Sequence, residues 1–243
     1  MTPFDLSPAQ RLGALSRAQV GDAAMPESVP GFPPLGRVTG GGDGPAVLVS
    51  SAKELQAALD APEPLWVVAA KGMVVRGRGE IVVRRDNKAL LGQGLTLDGP
   101  SLVVDRCMNV IVEGVQSVDA HRDGFEVTRS LVVSLVLCTA KRPKDGGFDV
   151  VRGAGSVSLV RCTVVDAAKA ILIGGADEPF VEQQAGSLAH LGLLDDRRGG
   201  VWLEGCRIIG GLNRAPLARH KRVVLRGHFL EGGGKRGLVE ART

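Results

Sequence analysis

The sequence predicts an all-β chain wound as a single-stranded parallel β-helix and closed at its N-terminal end by one capping helix. Three observations carry that expectation. The hexapeptide SLVLCT at 134–139 recurs as SLVRCT at 158–163. These two belong to a longer series with a near-constant spacing. The composition, with 34 Gly and short β-branched segments punctuated by Gly, Asn and Asp, lacks the long runs that helices favour.

The series comprises VIVEGV at 110–115, VSLVLC at 133–138, VSLVRC at 157–162, VWLEGC at 201–206 and VVLRGH at 223–228. Successive members start 23, 24, 44 and 22 residues apart. A period of this size belongs to coiled repeat architectures, in which each turn buries its apolar face only by stacking on the next. The 44-residue step is two periods, or one period carrying an insertion. Each member alternates with period two, so Val157 and Leu159 share one face while Ser158 and Arg161 are polar. Leucine-rich repeats have a similar period, but their L-x-x-L-x-L-x-x-N pattern and helical half are absent here. In a parallel β-helix, equivalent positions lie about 4.8 Å apart, so Cys138 stacks on Cys162 in adjacent coils. That stack reads as small buried core residues, with disulfide pairing as the alternative.

The ends of such a coil need covers, because they expose apolar core and unpaired strand edges. SAKELQAAL at 51–59 reads as the N-terminal lid. Ser51 stands as N-cap with Glu54 three residues on, and Leu55, Ala58 and Leu59 form the apolar face. Residues 1–36, rich in Pro and small residues, read as an extended N-terminal segment, with the β-helix domain occupying 37–243.

Composition narrows the function classes. The formal charge is +4, from 30 Lys and Arg against 26 Asp and Glu, which suits a polyanionic partner but also an ordinary solvated surface. The four cysteines, Cys107, Cys138, Cys162 and Cys206, include no CxxC pair and no zinc-site spacing. No stretch reaches the roughly 18 apolar residues of a membrane span, and the N-terminus lacks the apolar core of a signal peptide. The chain therefore acts inside the cell or has had a leader removed. His121, His190, His220 and His228 read as structural or exposed, with His228 in a core-ladder slot.

Seven segments in order then acquire a common meaning: GRVTGGGDGP (36–45), SAKELQAAL (51–59), NKALLGQG (87–94), NVIVEGV (109–115), DGGFDV (145–150), AKAILIGGAD (168–177) and NRAPLAR (213–219). From about residue 31 to about residue 230, the chain resembles the pectate lyase family of polysaccharide lyases, which are right-handed parallel β-helices. The resemblance implies calcium-dependent β-elimination of polygalacturonate. A proton leaves the carbon beside the uronate carboxylate, and the glycosidic oxygen at C4 departs. It places Arg214 as the proton-abstracting base, Arg219 as a second substrate-binding arginine and Lys169 as the partner of the substrate carboxylate. Asp145 and Asp149 fall on calcium ligands. The coil before offers Asp123 and Glu126 near the equivalent slots, and oxygen donors of this kind suit calcium.

The pattern also breaks. Val136 stands where the family's V-W-I-D-H strand carries an aspartate read as a calcium ligand, and Leu137 replaces the histidine. The chain has no Tyr and only two Trp to act as sugar platforms. The segment between Asp177 and Gly200 has no family counterpart and reads as an insertion. Two function classes are consistent with these residues. One is a calcium-assisted pectate lyase, expected to be a secreted monomer acting on polygalacturonate or a related acidic polysaccharide, with neither nucleic acid nor membrane as partner. The other is a weakened or noncatalytic β-helix that binds an anionic glycan. Calcium-independent elimination on methyl-esterified pectin lies between them.

Overall fold

The structure is a computed structural model that describes residues 29–30, 37–174, 200–210, 216–218, 223–226 and 229–231. Three parallel sheets run the length of a solenoid of about six turns, and each coil contributes one strand to each sheet in rotation. Among the described residues, sheet 1 has eight strands, sheet 2 seven and sheet 3 six. The repeat register is the one the sequence spacing implies. Val110 pairs with Val133, Val133 with Val157, Val157 with Val201 and Val201 with Val223. Because the strand Gly155–Val160 pairs directly with Val201–Glu204, the 44-residue step is one coil carrying an insertion. Residues 175–199, which hold that insertion and His190, lie outside the described residues, as does most of the expected N-terminal segment.

Period-two alternation sends Val67, Leu90, Val112, Leu135, Leu159 and Leu203 of sheet 1 into one continuous interior ladder. On sheet 3 the equivalent ladder includes Phe125 and Phe148, whose rings stack with centroids 4.7 Å apart. Cys138, Cys162 and Cys206 are free, buried and one residue ahead of in-register strands of sheet 2, as the hexapeptide repeat predicts. Their thiols donate back to carbonyls of the preceding coil, Cys138 Sγ to Val112 O at 3.5 Å and Cys162 Sγ to Leu135 O at 3.3 Å. Burial pushes the Cys162 thiol well up, so it stays protonated and acts as a small apolar residue.

The corners between sheets are ladders too. Asn87, Asn109, Val132 and Ser156 occupy one corner with φ between 54° and 58°; Gly114, Leu137, Arg161 and Gly205 occupy another, all left-handed. A left-handed residue turns the chain while leaving its N–H free to pair with the next coil, as Leu137 N does with Val160 O at 2.9 Å.

Helix α1 (Ala52–Asp60) covers the N-terminal end, with Leu55, Ala58 and Leu59 buried as expected. Ser51 Oγ accepts from Glu54 N at 3.2 Å. The reciprocal bond is displaced by one residue, since Glu54 Oε2 accepts from Ser50 N at 2.8 Å and from Ser50 Oγ at 2.9 Å. Gln56 closes the open edge of sheet 3: its amide donates to Val82 O at 2.8 Å and accepts from Val82 N at 3.0 Å, as a further strand would.

Among the described residues, no helix is long and apolar enough to cross a membrane. The outer face of sheet 1 is itself buried. Trp66, Val68, Ala89, Leu91, Ile111, Val136 and Val160 form a second apolar cluster with Val38 of the short strand Arg37–Val38, which lies outside the three parallel sheets. Ser158, read as polar, does point away from the interior ladder, as does its in-register neighbour Ser134, yet both are fully buried and hydrogen-bond to each other.

Candidate functional site

Sheet 3 carries Glu126 and Asp149 of the acidic residues singled out in the sequence, and Asp123 and Asp145 stand just ahead of its strands. Its outward column runs Val82, Val103, Glu126, Asp149, Leu172, Leu217, because the residues on either side of each face the core. Glu126 is thus the direct neighbour of Asp149 on the coil before. Asp123 lies one position off the slot expected for it: continuing the same register places it opposite Gly146, and Arg122 opposite Asp145. Asp145 N accordingly donates to Arg122 O at 3.2 Å.

Gly146 is the pivot of the group. Its N–H donates to Asp123 Oδ1 at 2.7 Å. A Cβ added there would lie 2.6 Å from Asp123 Oδ1 and closer still to Asp149 Oδ1, so two carboxylates face the space that only glycine leaves open. Lys169 pairs in register with Gly146 and sets its Nζ on Asp145 Oδ1. The structure therefore brings together Glu126, Asp149 and Lys169 on three consecutive strands of one sheet, with Asp123 and Asp145 just ahead of the first two of those strands.

Burial raises the carboxyl of Asp123 above its ordinary range; the Gly146 amide opposes the rise, Asp145 adds to it, and Arg122 and Lys169 oppose it. Glu126 is raised by burial as well, against the pull of Arg152, whose Nη1 donates to Glu126 Oε1 at 2.9 Å. Arg122 and Arg152 were not singled out in the sequence. Arg152 had a signal: Arg106, Arg129 and Arg152 recur every 23 residues and share a left-handed corner.

Val136 is elsewhere. It lies on Leu131–Val136 of sheet 1, in register with Glu113 and Val160 and 9% exposed within the second apolar cluster. A carboxylate at position 136 would face that cluster and not the acidic group on sheet 3. Leu137, the histidine position, is a corner residue 49% exposed. Arg214 and Arg219 lie outside the described residues, as do His220 and His228. Between the two arginines, Leu217 and Ala218 pair with Leu172 and Ile173, the strand that begins at Lys169.

Carboxylate oxygens are the donors calcium prefers, and Asp123 and Asp149 converge on a site where glycine leaves room. Among the described residues, no three His, Cys, Asp or Glu side chains close into a metal-holding group. Calcium would find these carboxylates only as an open, partial donor set, with water or ligand oxygens needed to complete its shell.

No protein-family model matches the chain. Probable pectate lyase 4 of Arabidopsis thaliana is 26% identical over 157 residues, covering 57% of this chain and 42% of that protein. A pectate lyase of Lilium longiflorum is 24% identical over 138 residues, covering 47% of this chain and 32% of that protein. The chain thus spans well under half the length of the curated relatives it matches. Among solved structures, the cedar pollen allergen Jun a 1 superposes with a TM-score of 0.62 at 16% identity, over 80% of this chain and 60% of that one. The pectate lyase of Bacillus sp. N165 in complex with trigalacturonate superposes with a TM-score of 0.60 at 17% identity, over 76% and 63%. In sequence and in coil architecture alike, the chain is a pectate lyase-like parallel β-helix.

Proposed function

We propose that the protein is a secreted polysaccharide lyase that cleaves polygalacturonate, or a related acidic polysaccharide, by calcium-assisted β-elimination. The observation that carries the reading is the grouping on sheet 3. Acidic residues on neighbouring coils face a glycine-lined space, and a lysine stands beside them. Polysaccharide lyase relatives and a neighbour solved with trigalacturonate support the substrate class.

In this reading Asp123, Asp145 and Asp149 hold calcium, with Glu126 beside them as a further carboxylate. Calcium bound there supplies positive charge next to the uronate carboxylate. Lys169 orients that carboxylate and neutralises it, which lowers the energy of the charge that develops when the adjacent carbon loses its proton. Arg214 takes the proton, Arg219 holds the substrate, and the electron pair left on carbon expels the C4 oxygen. Position 136 supplies no ligand in this reading, so Val136→Asp adds nothing to calcium binding.

An arginine base sets the pH dependence. A guanidinium is protonated throughout the ordinary pH range, so keeping it neutral near pH ~8.5 costs about 6 kcal/mol, which neighbouring cations and desolvation reduce. Activity should therefore rise toward alkaline pH.

The test follows near-ultraviolet absorbance of the unsaturated uronide formed from polygalacturonate at alkaline pH. Calcium, a chelator and Arg214→Ala are compared. A calcium-dependent signal abolished by the substitution is expected. A folded protein that gives no signal on polygalacturonate or methylated pectin would be a β-helix without this chemistry.

A further inference from the structure

Lys169 has two demands on it. The lyase reading assigns its ammonium to a substrate carboxylate, yet in this structure that ammonium sits on Asp145, itself a proposed calcium ligand. We propose that Lys169 couples the two ligands of the site. In the free protein it is latched to Asp145, and a cation taking Asp145 releases it toward the carboxylate of an incoming uronate. This inference rests on the lyase reading and adds to it an order of events and a cooperativity.

The geometry suits a latch and not a permanent bridge. Lys169 is on the coil after Asp145, held there by strand register, with its N–H donating to Asp145 O at 3.3 Å. The side chains remain 37% and 50% exposed, so water competes for both ends of the pair. An exposed pair of this kind contributes only about 0.2 to 1 kcal/mol, which a divalent ion overcomes. Asp123 also feels the charge of Lys169. An ion drawn to Asp123, Asp145 and Asp149 therefore competes with the ammonium for Asp123 and Asp145, both of which attract it. A dication within about 4 Å of an ammonium repels it by about 2 kcal/mol even at the dielectric of water. The lysine stem has four carbons and rotatable donors, so the ammonium swings out without moving the strand.

Coupling of this kind is reciprocal. Whatever factor calcium contributes to uronate affinity through Lys169, uronate returns to calcium. An anionic sugar arriving first draws Lys169 off Asp145 and opens the carboxylate for the ion.

The test uses the full chain and calcium chloride. Amine acetylation read by peptide mass spectrometry should find Lys169 slow to react without calcium and at least twofold faster with it. Exposed Lys144 should react equally in both conditions. In calorimetric titrations with calcium alone, Lys169→Met should bind about two- to fivefold tighter than wild type, the fold-change that an exposed ion pair of ~0.5 to 1 kcal/mol represents. Lys169→Arg should stay near wild type. Lys144→Met removes the same charge from the residue next to Asp145 without removing an ion pair, so its change should be smaller. Equal tightening in Lys144→Met and Lys169→Met, or calcium binding that leaves Lys169 acetylation unchanged, overturns the latch and spares the lyase reading. Absence of calcium binding in both wild type and Lys169→Met overturns the calcium reading and the latch with it.

Discussion

Leu137 and Glu113 show at single positions what the solenoid tolerates. Leu137 holds φ 53° in a corner whose neighbours above and below are Gly114 and Arg161. A left-handed L-residue costs roughly 1 to 2 kcal/mol, and Asn bears that conformation with less strain. Because Leu137 is 49% exposed, little apolar burial is lost on replacing it. Leu137→Asn should stabilise the fold by about 0.5 to 1 kcal/mol, a rise in Tm of about 1–4 °C for a chain of this size; a fall would mean that the side chain packs more than its exposure suggests. Glu113 presents the opposite case. It is 4% exposed between Leu91 and Val136, with Oε1 accepting from Gln93 Nε2 at 3.1 Å and Oε2 without a partner. Burial raises its carboxyl pKa. The folded state therefore binds this proton more tightly than the unfolded chain, and the stability it contributes is full below the ordinary carboxylate pKa of about 4.3. That stability is lost as pH rises through the raised value. Glu113→Gln should match wild type near pH ~4 and exceed it by about 1 kcal/mol at neutral pH; chemical denaturation at the two pH values reads the difference.

At the scale of elements, register was legible and location was not. The aligned hexapeptides fall on one sheet in the expected pairing, because a repeat of 23 or 24 residues in a stacked coil leaves each position a single equivalent slot. The helical lid was legible from its apolar spacing and from Ser51. Which sheet a residue joins depends on where the left-handed corners fall. Val132, Leu137 and Arg142 are ordinary residues that carry no turn signature in the sequence. That is why Val136 could be read as part of the acidic site when a corner stands between them. Ser158 misled in the same way, since a polar residue that points away from the interior ladder is still buried where a second apolar cluster covers the sheet. Gln56 was also silent, because its role is to imitate a strand for Val82 at the edge of sheet 3. Gln56→Leu keeps the bulk but leaves the Val82 N–H and C=O without that partner. It should cost about 1–3 kcal/mol by urea denaturation and increase aggregation of the freed edge; an unchanged midpoint would show that water serves the edge equally well.

At the scale of the whole molecule, coils of a solenoid interact chiefly with the coils beside them, so stability is approximately a sum of coil terms and interfaces, and the position of the site along the axis determines how well it is held. The acidic residues and Lys169 lie on or just ahead of three consecutive strands of sheet 3, Phe125–Thr128, Gly146–Val151 and Lys169–Ile173, each with a strand on both sides. Under Glu126 and Asp149 lies the stacked pair Phe125 and Phe148, each 1% exposed. The same backbone that points two carboxylates outward thus anchors its strands with the largest apolar side chains of the sheet. Phe148→Ala should cost about 3–5 kcal/mol. In a nearest-neighbour solenoid that loss is local to one interface. Hydrogen exchange should keep its protection in the coils from Leu65 to Asp105, which α1 covers, while coils from Gly146 onward lose theirs. Uniform loss along the chain would instead mean that the solenoid unfolds as one cooperative unit. In the local case calcium binding disappears while the N-terminal coils stay folded, because the break runs between Glu126 and Asp149, through the acidic site itself.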